Sequence, residues 1–174
     1  MPCRAMSRPF ILLPLCLAVL CLLAGCGSNL RYEYRYVPGK TAALNNGQAT
    51  APEAAPERVR AAIAAANQIA GSPYAFGGGH GRAGDRGLDC SGATSYVLRA
   101  AGALDSPTTS TAFRRYGRSG PGEWISVWAR KGHVFLVIAG LRFDTGWHGE
   151  EEGPRWTMKS RPAPRYVIRH PSGL

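Results

Sequence analysis

Cysteine is nearly absent from the part of this sequence that would fold. Of five cysteines in 174 residues, Cys3, Cys16, Cys21 and Cys26 lie at the start, and Cys90 stands alone in the remainder. A disulfide-stapled fold is therefore excluded there, and a lone thiol in an exported domain is either deeply buried or kept for its chemistry. Paired metal-ligand spacings such as C-x-x-C or H-x-x-x-H are also missing, so no metal site and no cofactor is expected. Long hydrophobic runs are missing too. The longest, Phe10 to Gly25, has 16 residues and contains Pro14, whereas a membrane span needs about 18 or more. Acidic residues are few: 11 Asp and Glu face 21 Lys and Arg. That balance argues for an anionic partner.

What is present begins with an address. Arg4 and Arg8 precede the apolar run, which ends in small residues, the layout of a secretory signal peptide over residues 1–25. The string Leu23-Ala24-Gly25-Cys26 resembles the lipobox of bacterial lipoproteins, which implies lipid attachment at Cys26 and a membrane anchor. Gly27 after that cysteine would suit the periplasmic face of an outer membrane in a two-membrane cell. With Arg4 and Arg8 removed, 19 basic residues face 11 acidic ones, a formal charge of +8. Export makes acidic envelope polymers the favoured partner over nucleic acid.

Residues 26–52 read as a flexible tether, rich in Ala, Asn, Gly and Pro and without sustained periodicity, with an end-to-end distance on the order of 30 Å. Within it "RYEYRYV" alternates, so an edge strand or a wall-contacting patch is an alternative there to plain linker. Residues 53–174 read as one domain. Val59, Ala62, Ile63, Ala66 and Ile69 recur at helical spacing over 55–70, with Gly71 just beyond. A second helix is predicted over 90–101, capped by Asp89, with Ala93, Tyr96, Val97 and Ala101 on its inner face and Gly102 as its stop. A short helix is predicted over 111–116. After Gly120-Pro121-Gly122 come strand patterns: "EWISVWA", "HVFLVIA", "LRFDT" and "RYVIRH". Helices followed by strands predict an α+β fold with helices on one side of an antiparallel sheet.

The predicted N-terminal position of Cys90 in its helix sets unpaired N–H groups and the positive end of the dipole beside the sulfur, which favours a thiolate. An inert small core residue is the alternative. Among the four histidines, His133 opens a strongly apolar strand and is the best base; His80, His148 and His170 look more exposed. If Ala139-Gly140 makes a two-residue turn, Ile138 faces Leu141, and Asp144 shares a face with His133; a three-residue turn would bring Thr145 there instead. Asp144 is favoured, because a carboxylate fixes the imidazole tautomer. The string from Gly79 to Gly84 satisfies G-x-G-x-x-G, but no strand precedes it, so a dinucleotide site is excluded.

The segments "GSPYAFGGG" (71–79), "LDCSG" (88–92), "PGEWI" (121–125) and "GHVFLVI" (132–138) together resemble the NlpC family of papain-like cell-wall cysteine peptidases. The resemblance spans roughly residues 58–148. It implies a papain-like fold with Cys90 as nucleophile at a helix N-terminus, His133 as base, and Tyr74, Asp89 and Ser91 in the substrate cleft. The family's usual His, Asn or Gln third residue is not matched, which leaves Asp144, Thr145 and His148 as candidates. Phe76 replaces a frequent tryptophan, and Phe135 a small residue. The implied activity is a peptidoglycan endopeptidase that hydrolyses a stem-peptide amide, D-γ-glutamyl to diamino acid. Alternatives are a non-catalytic peptidoglycan-binding lipoprotein, or an acyltransferase or esterase built on the same Cys-His pair.

Overall fold

In the computed structural model of the protein, residues 30–81, 86–146 and 152–174 are described. The signal segment, Cys26 and His148 lie outside them. The described chain is a mixed α+β domain. Helix α1 (Glu57–Ile69) buries Val59, Ala62, Ile63, Ala66 and Ile69, the face its periodicity predicts. Helix α2 (Cys90–Ala100) buries Ala93, Val97 and Leu98. Tyr96, expected on that inner face, is 41% exposed, and its hydroxyl donates to Gln68 Oε1 at 2.9 Å. The phenol would have had to bury its hydroxyl on the inner face, whereas Leu98 fills that space without a polar atom. Helix α3 (Ser110–Phe113) is capped by Thr109, whose Oγ1 accepts from the Ala112 amide at 3.2 Å.

The described residues form ten strands, numbered in chain order: β1 (Arg31–Tyr32), β2 (Ala43–Asn45) and β3 (Gln48–Thr50) before the helices, then β4 (Arg118–Ser119), β5 (Ile125–Arg130), β6 (His133–Ile138), β7 (Leu141–Asp144), β8 (Arg155–Thr157), β9 (Arg161–Pro162) and β10 (Val167–His170). Six of them form one antiparallel sheet in the order β4-β10-β5-β6-β7-β8, and β1-β9 and β2-β3 are separate pairs. Ala139 (φ 45°) and Gly140 (φ 76°) make the two-residue turn between β6 and β7, with Ile138 opposite Leu141. Both positions need a left-handed backbone, as the tight hairpin turn requires.

Alternation divides each central strand between two apolar layers. Val134, Leu136 and Ile138 of β6 pack with the helices, together with Ile125 and Val127 of β5. Phe135 and Trp128 point to the other face, where Tyr32, Ala163 and Tyr166 cover them. That second layer changes the reading of the N-terminal segment. From Leu30 onward it is packed rather than a free tether: Tyr32 is 4% exposed, pairs with Arg161 across β1 and β9, and donates to the Gly140 carbonyl at 2.9 Å. Ala42 and Ala49 are buried as well. Small residues and short strands carry little periodicity, so the composition looks like linker although the segment covers a sheet face.

Candidate functional site

The start of α2 sits against the glycine-rich loop. A β-carbon on Gly92 would collide with the Gly78 carbonyl oxygen and lie 2.9 Å from Gly79 Cα, so only glycine permits this approach. Asp89 caps the helix: its Oδ1 accepts from the Gly92 amide at 2.6 Å and the Ser91 hydroxyl at 2.9 Å, and its Oδ2 accepts from the Gly77 amide at 3.1 Å. The close loop also brings in a residue that sequence reasoning set aside. His80 Nε2 lies 3.3 Å from Asp89 Oδ1 and 3.2 Å from Ser91 Oγ, where an exposed loop histidine was expected. The signal available was the run of glycines around it, which marks close backbone approach.

Cys90 is half-buried and unpaired, and it opens onto a cleft of about 550 Å³ that Tyr74, His80, Asp89 and Ser91 also line. Its thiol is not predisposed to ionise. Burial pushes its pKa from 9.0 up to about 11, against the lowering effect of the Val134 and Ser91 amides and with Asp89 and Asp144 adding to the rise. The expectation that the helix start would favour the thiolate is therefore corrected: removal of solvent outweighs the helix end.

His133 opens β6. Its Nε2 lies 2.8 Å from Asp144 Oδ1, and the other carboxylate oxygen, Oδ2, accepts from Arg161 Nη1 at 2.7 Å and lies 3.3 Å from Arg142 Nη1. The Thr145 amide donates to Asp144 Oδ1 at 2.8 Å. With both oxygens already accepting, Asp144 is the acceptor toward the ring, so Nε2 carries the hydrogen and Nδ1 is left with the basic lone pair. Arg142 is fully buried, with its guanidinium 5.6 Å from the Tyr32 ring centroid and 5.8 Å from that of Phe135. Burial pulls its pKa down and the Asp144 charge offsets part of that pull. Of the candidates for a third residue, Asp144 contacts His133, and His148 is outside the described residues. Arg142 was legible as a neighbour of Asp144 on one strand face. Arg161, from the distant β9, was not.

The cysteine and histidine occupy adjoining depressions rather than a bonded pair. Val134, whose amide meets the sulfur, points to the helix side of β6, while His133 points to the other; among the described residues no hydrogen bond joins the thiol to the imidazole. The His133 depression holds about 470 Å³, and Tyr74, Phe76 and Gly132 border both. Phe76 is 93% exposed between them. Comparison with protein-family models, curated proteins and solved structures gives no match. The functional reading therefore rests on the side chains themselves. Among the described residues no group of three or more His, Cys, Asp and Glu is arranged to hold a metal ion. What the arrangement offers is a thiol beside main-chain amides, an oriented imidazole, and a cleft with charged ends.

Proposed function

We propose that this chain is a cysteine peptidase of the NlpC type with a papain-like fold, a lipid-anchored enzyme of the bacterial envelope that hydrolyses an amide of the peptidoglycan stem peptide. One observation carries the reading: His133, held by Asp144 at 2.8 Å, opens the strand whose next residue, Val134, acts through its backbone on the Cys90 thiol at a helix N-terminus. Support also comes from the motifs 71–79, 88–92 and 132–138 and from the basic charge, which suits an acidic polymer.

In this reading the proton leaves Cys90 for His133 Nδ1 as the sulfur attacks the carbonyl carbon, because a thiol with a pKa of about 11 holds few preformed anions at neutral pH. Catalytic hydrogen bonds commonly tighten only with substrate bound, so the ring closes on the sulfur in the complex. Backbone N–H groups at the start of α2, together with the Tyr74 hydroxyl, stabilise the oxyanion. His133 then protonates the leaving amine, and water, deprotonated by the same ring, releases the acyl group. Asp144 keeps the imidazole in the required tautomer, and Tyr74, Asp89 and Ser91 bind the acyl-side peptide.

The raised thiol pKa and the absence, among the described residues, of a hydrogen bond between thiol and imidazole favour a second reading, a wall-binding lipoprotein without turnover. Purified sacculi separate the two. The wild-type protein should release cleaved stem peptides detectable by mass spectrometry, and Cys90→Ala should release none. Equal release by both proteins rejects the cysteine mechanism, and absence of release by the wild type leaves the binder.

A further inference from the structure

The cleft does not end at His133. Arg130 and Arg161 border the His133 depression, and the same two arginines, with Arg165 and Tyr166, border an adjoining hollow of about 360 Å³. The arginines are arranged around one ring. Arg130 Cζ lies 5.4 Å from the Tyr166 centroid, and Arg161 Nη2 donates to the Tyr166 hydroxyl at 3.3 Å. Arg161 is occupied by Asp144, but Arg130 and Arg165 have no carboxylate partner among the described residues. Arg165 also holds a left-handed backbone, φ 66°, which is strained for a residue with a β-carbon. At the far end of the cleft both signs are present, Asp89 and Lys131 on the Cys90 side, so the arginine end is the more cationic of the two.

From this polarity we infer that the arginine hollow binds a carboxylate on the amine-side half of the cleaved peptide. The assignment to that half rests on the peptidase reading. His133 delivers its proton to the leaving nitrogen, so the residue carrying that nitrogen lies over His133, and a carboxylate a few bonds further on reaches Arg130 and Arg165. The substrate class follows: peptides whose leaving residue bears a free carboxylate, with amidated forms discriminated against. Guanidinium groups with a planar fork suit a carboxylate and have nothing comparable to offer a neutral amide.

The experiment uses the Cys90→Ala protein and two synthetic stem peptides that differ only in free or amidated carboxylates on the leaving residue, with binding measured by calorimetry. The free-acid peptide should bind roughly tenfold more tightly, and the preference should shrink as salt is raised. Arg130→Gln or Arg165→Gln should remove most of the preference and leave the amidated peptide's affinity unchanged. Arg165→Gly serves as the folding control, since glycine suits φ 66° and should raise thermal stability while the preference falls. Equal affinity for the two peptides, no binding of either, or a preference that survives both arginine substitutions overturns the inference. Hydrolysis by the wild-type protein is scored separately: a carboxylate preference without turnover would sink the peptidase reading and leave a carboxylate site.

Discussion

At the scale of the residue, Cys90 sets two electrostatic effects against each other. A helix N-terminus is worth about 0.3–1 kcal/mol to a nearby anion, less than one pKa unit, whereas burial of an ionising group shifts it by several. Burial wins, and the thiol moves from 9.0 to about 11. The folded protein therefore holds this proton more tightly than the unfolded chain does. The stability that follows is fully present below 9.0 and is lost as pH rises toward about 11. Alkylation of the ligand-free protein by iodoacetamide should accelerate with pH across that same range. Asp89→Asn, which keeps a capping oxygen and removes a like charge, should shift the alkylation profile to lower pH, because Asp89 is one cause of the raised value. An unshifted profile would mean that the Asp89 charge has no part in holding the thiol proton.

At the scale of the element, Asn67 near the end of α1 joins three parts of the chain. Its Oδ1 accepts from the Ala49 amide at 2.9 Å and from Trp156 Nε1 at 2.8 Å, and its Nδ2 donates to the Ala49 carbonyl at 2.9 Å. One side chain thus fastens β3 and β8 to the helix. Asn67→Ala removes three hydrogen bonds worth about 1 kcal/mol each and leaves a part-buried indole N–H without its acceptor, so urea denaturation should show a loss of about 2–4 kcal/mol. The sequence made some of these elements legible and hid others for a physical reason. The apolar face of α1, the Asp89 cap and the turn at Ala139-Gly140 were readable because they depend on neighbours three or four positions away, or on a two-residue turn. The same turn placed Asp144 beside His133. β1 falls in the alternating "RYEYRYV", where an edge strand was one of the readings; hidden were β2, β3 and β9, whose two or three residues are too short to show a period, although Asn46-Gly47 is a hairpin dipeptide. Arg161 joins the site only through long-range packing, which no local pattern encodes, whereas His80 is brought in by the glycine-rich loop nine residues before Asp89.

At the scale of the whole molecule, the central sheet has two faces to cover and the helices cover one. The other face, with Trp128 and Phe135, is closed by Tyr32 from the N-terminal segment and by Ala163 and Tyr166 near the C-terminus. This closure also sets the reach of the domain under the lipid-anchor proposal. Leu30, where the described chain begins, is four residue steps from Cys26, and at roughly 3.5 Å per step these span no more than about 14 Å. A flexible tether over 26–52 would have an average end-to-end distance on the order of 30 Å and a much longer extended reach. Two truncations test whether the segment supports the fold or merely lies on it. A protein beginning at residue 30 should match one beginning at residue 26 in unfolding free energy within about 0.5 kcal/mol, since it keeps every residue of the two apolar layers. One beginning at residue 53 loses the buried Tyr32 ring and its bond to Gly140, along with the buried Ala42 and Ala49, and uncovers the Arg142 guanidinium. Loss of a buried aromatic alone costs about 3–5 kcal/mol, a large part of the 5–15 kcal/mol that holds a typical domain together. Urea titration should therefore place the shorter protein's midpoint far below that of the longer one, with a smaller slope because less surface remains to be exposed. Coincident midpoints would show that the second apolar layer adds no stability and that residues 30–52 act as a tether after all.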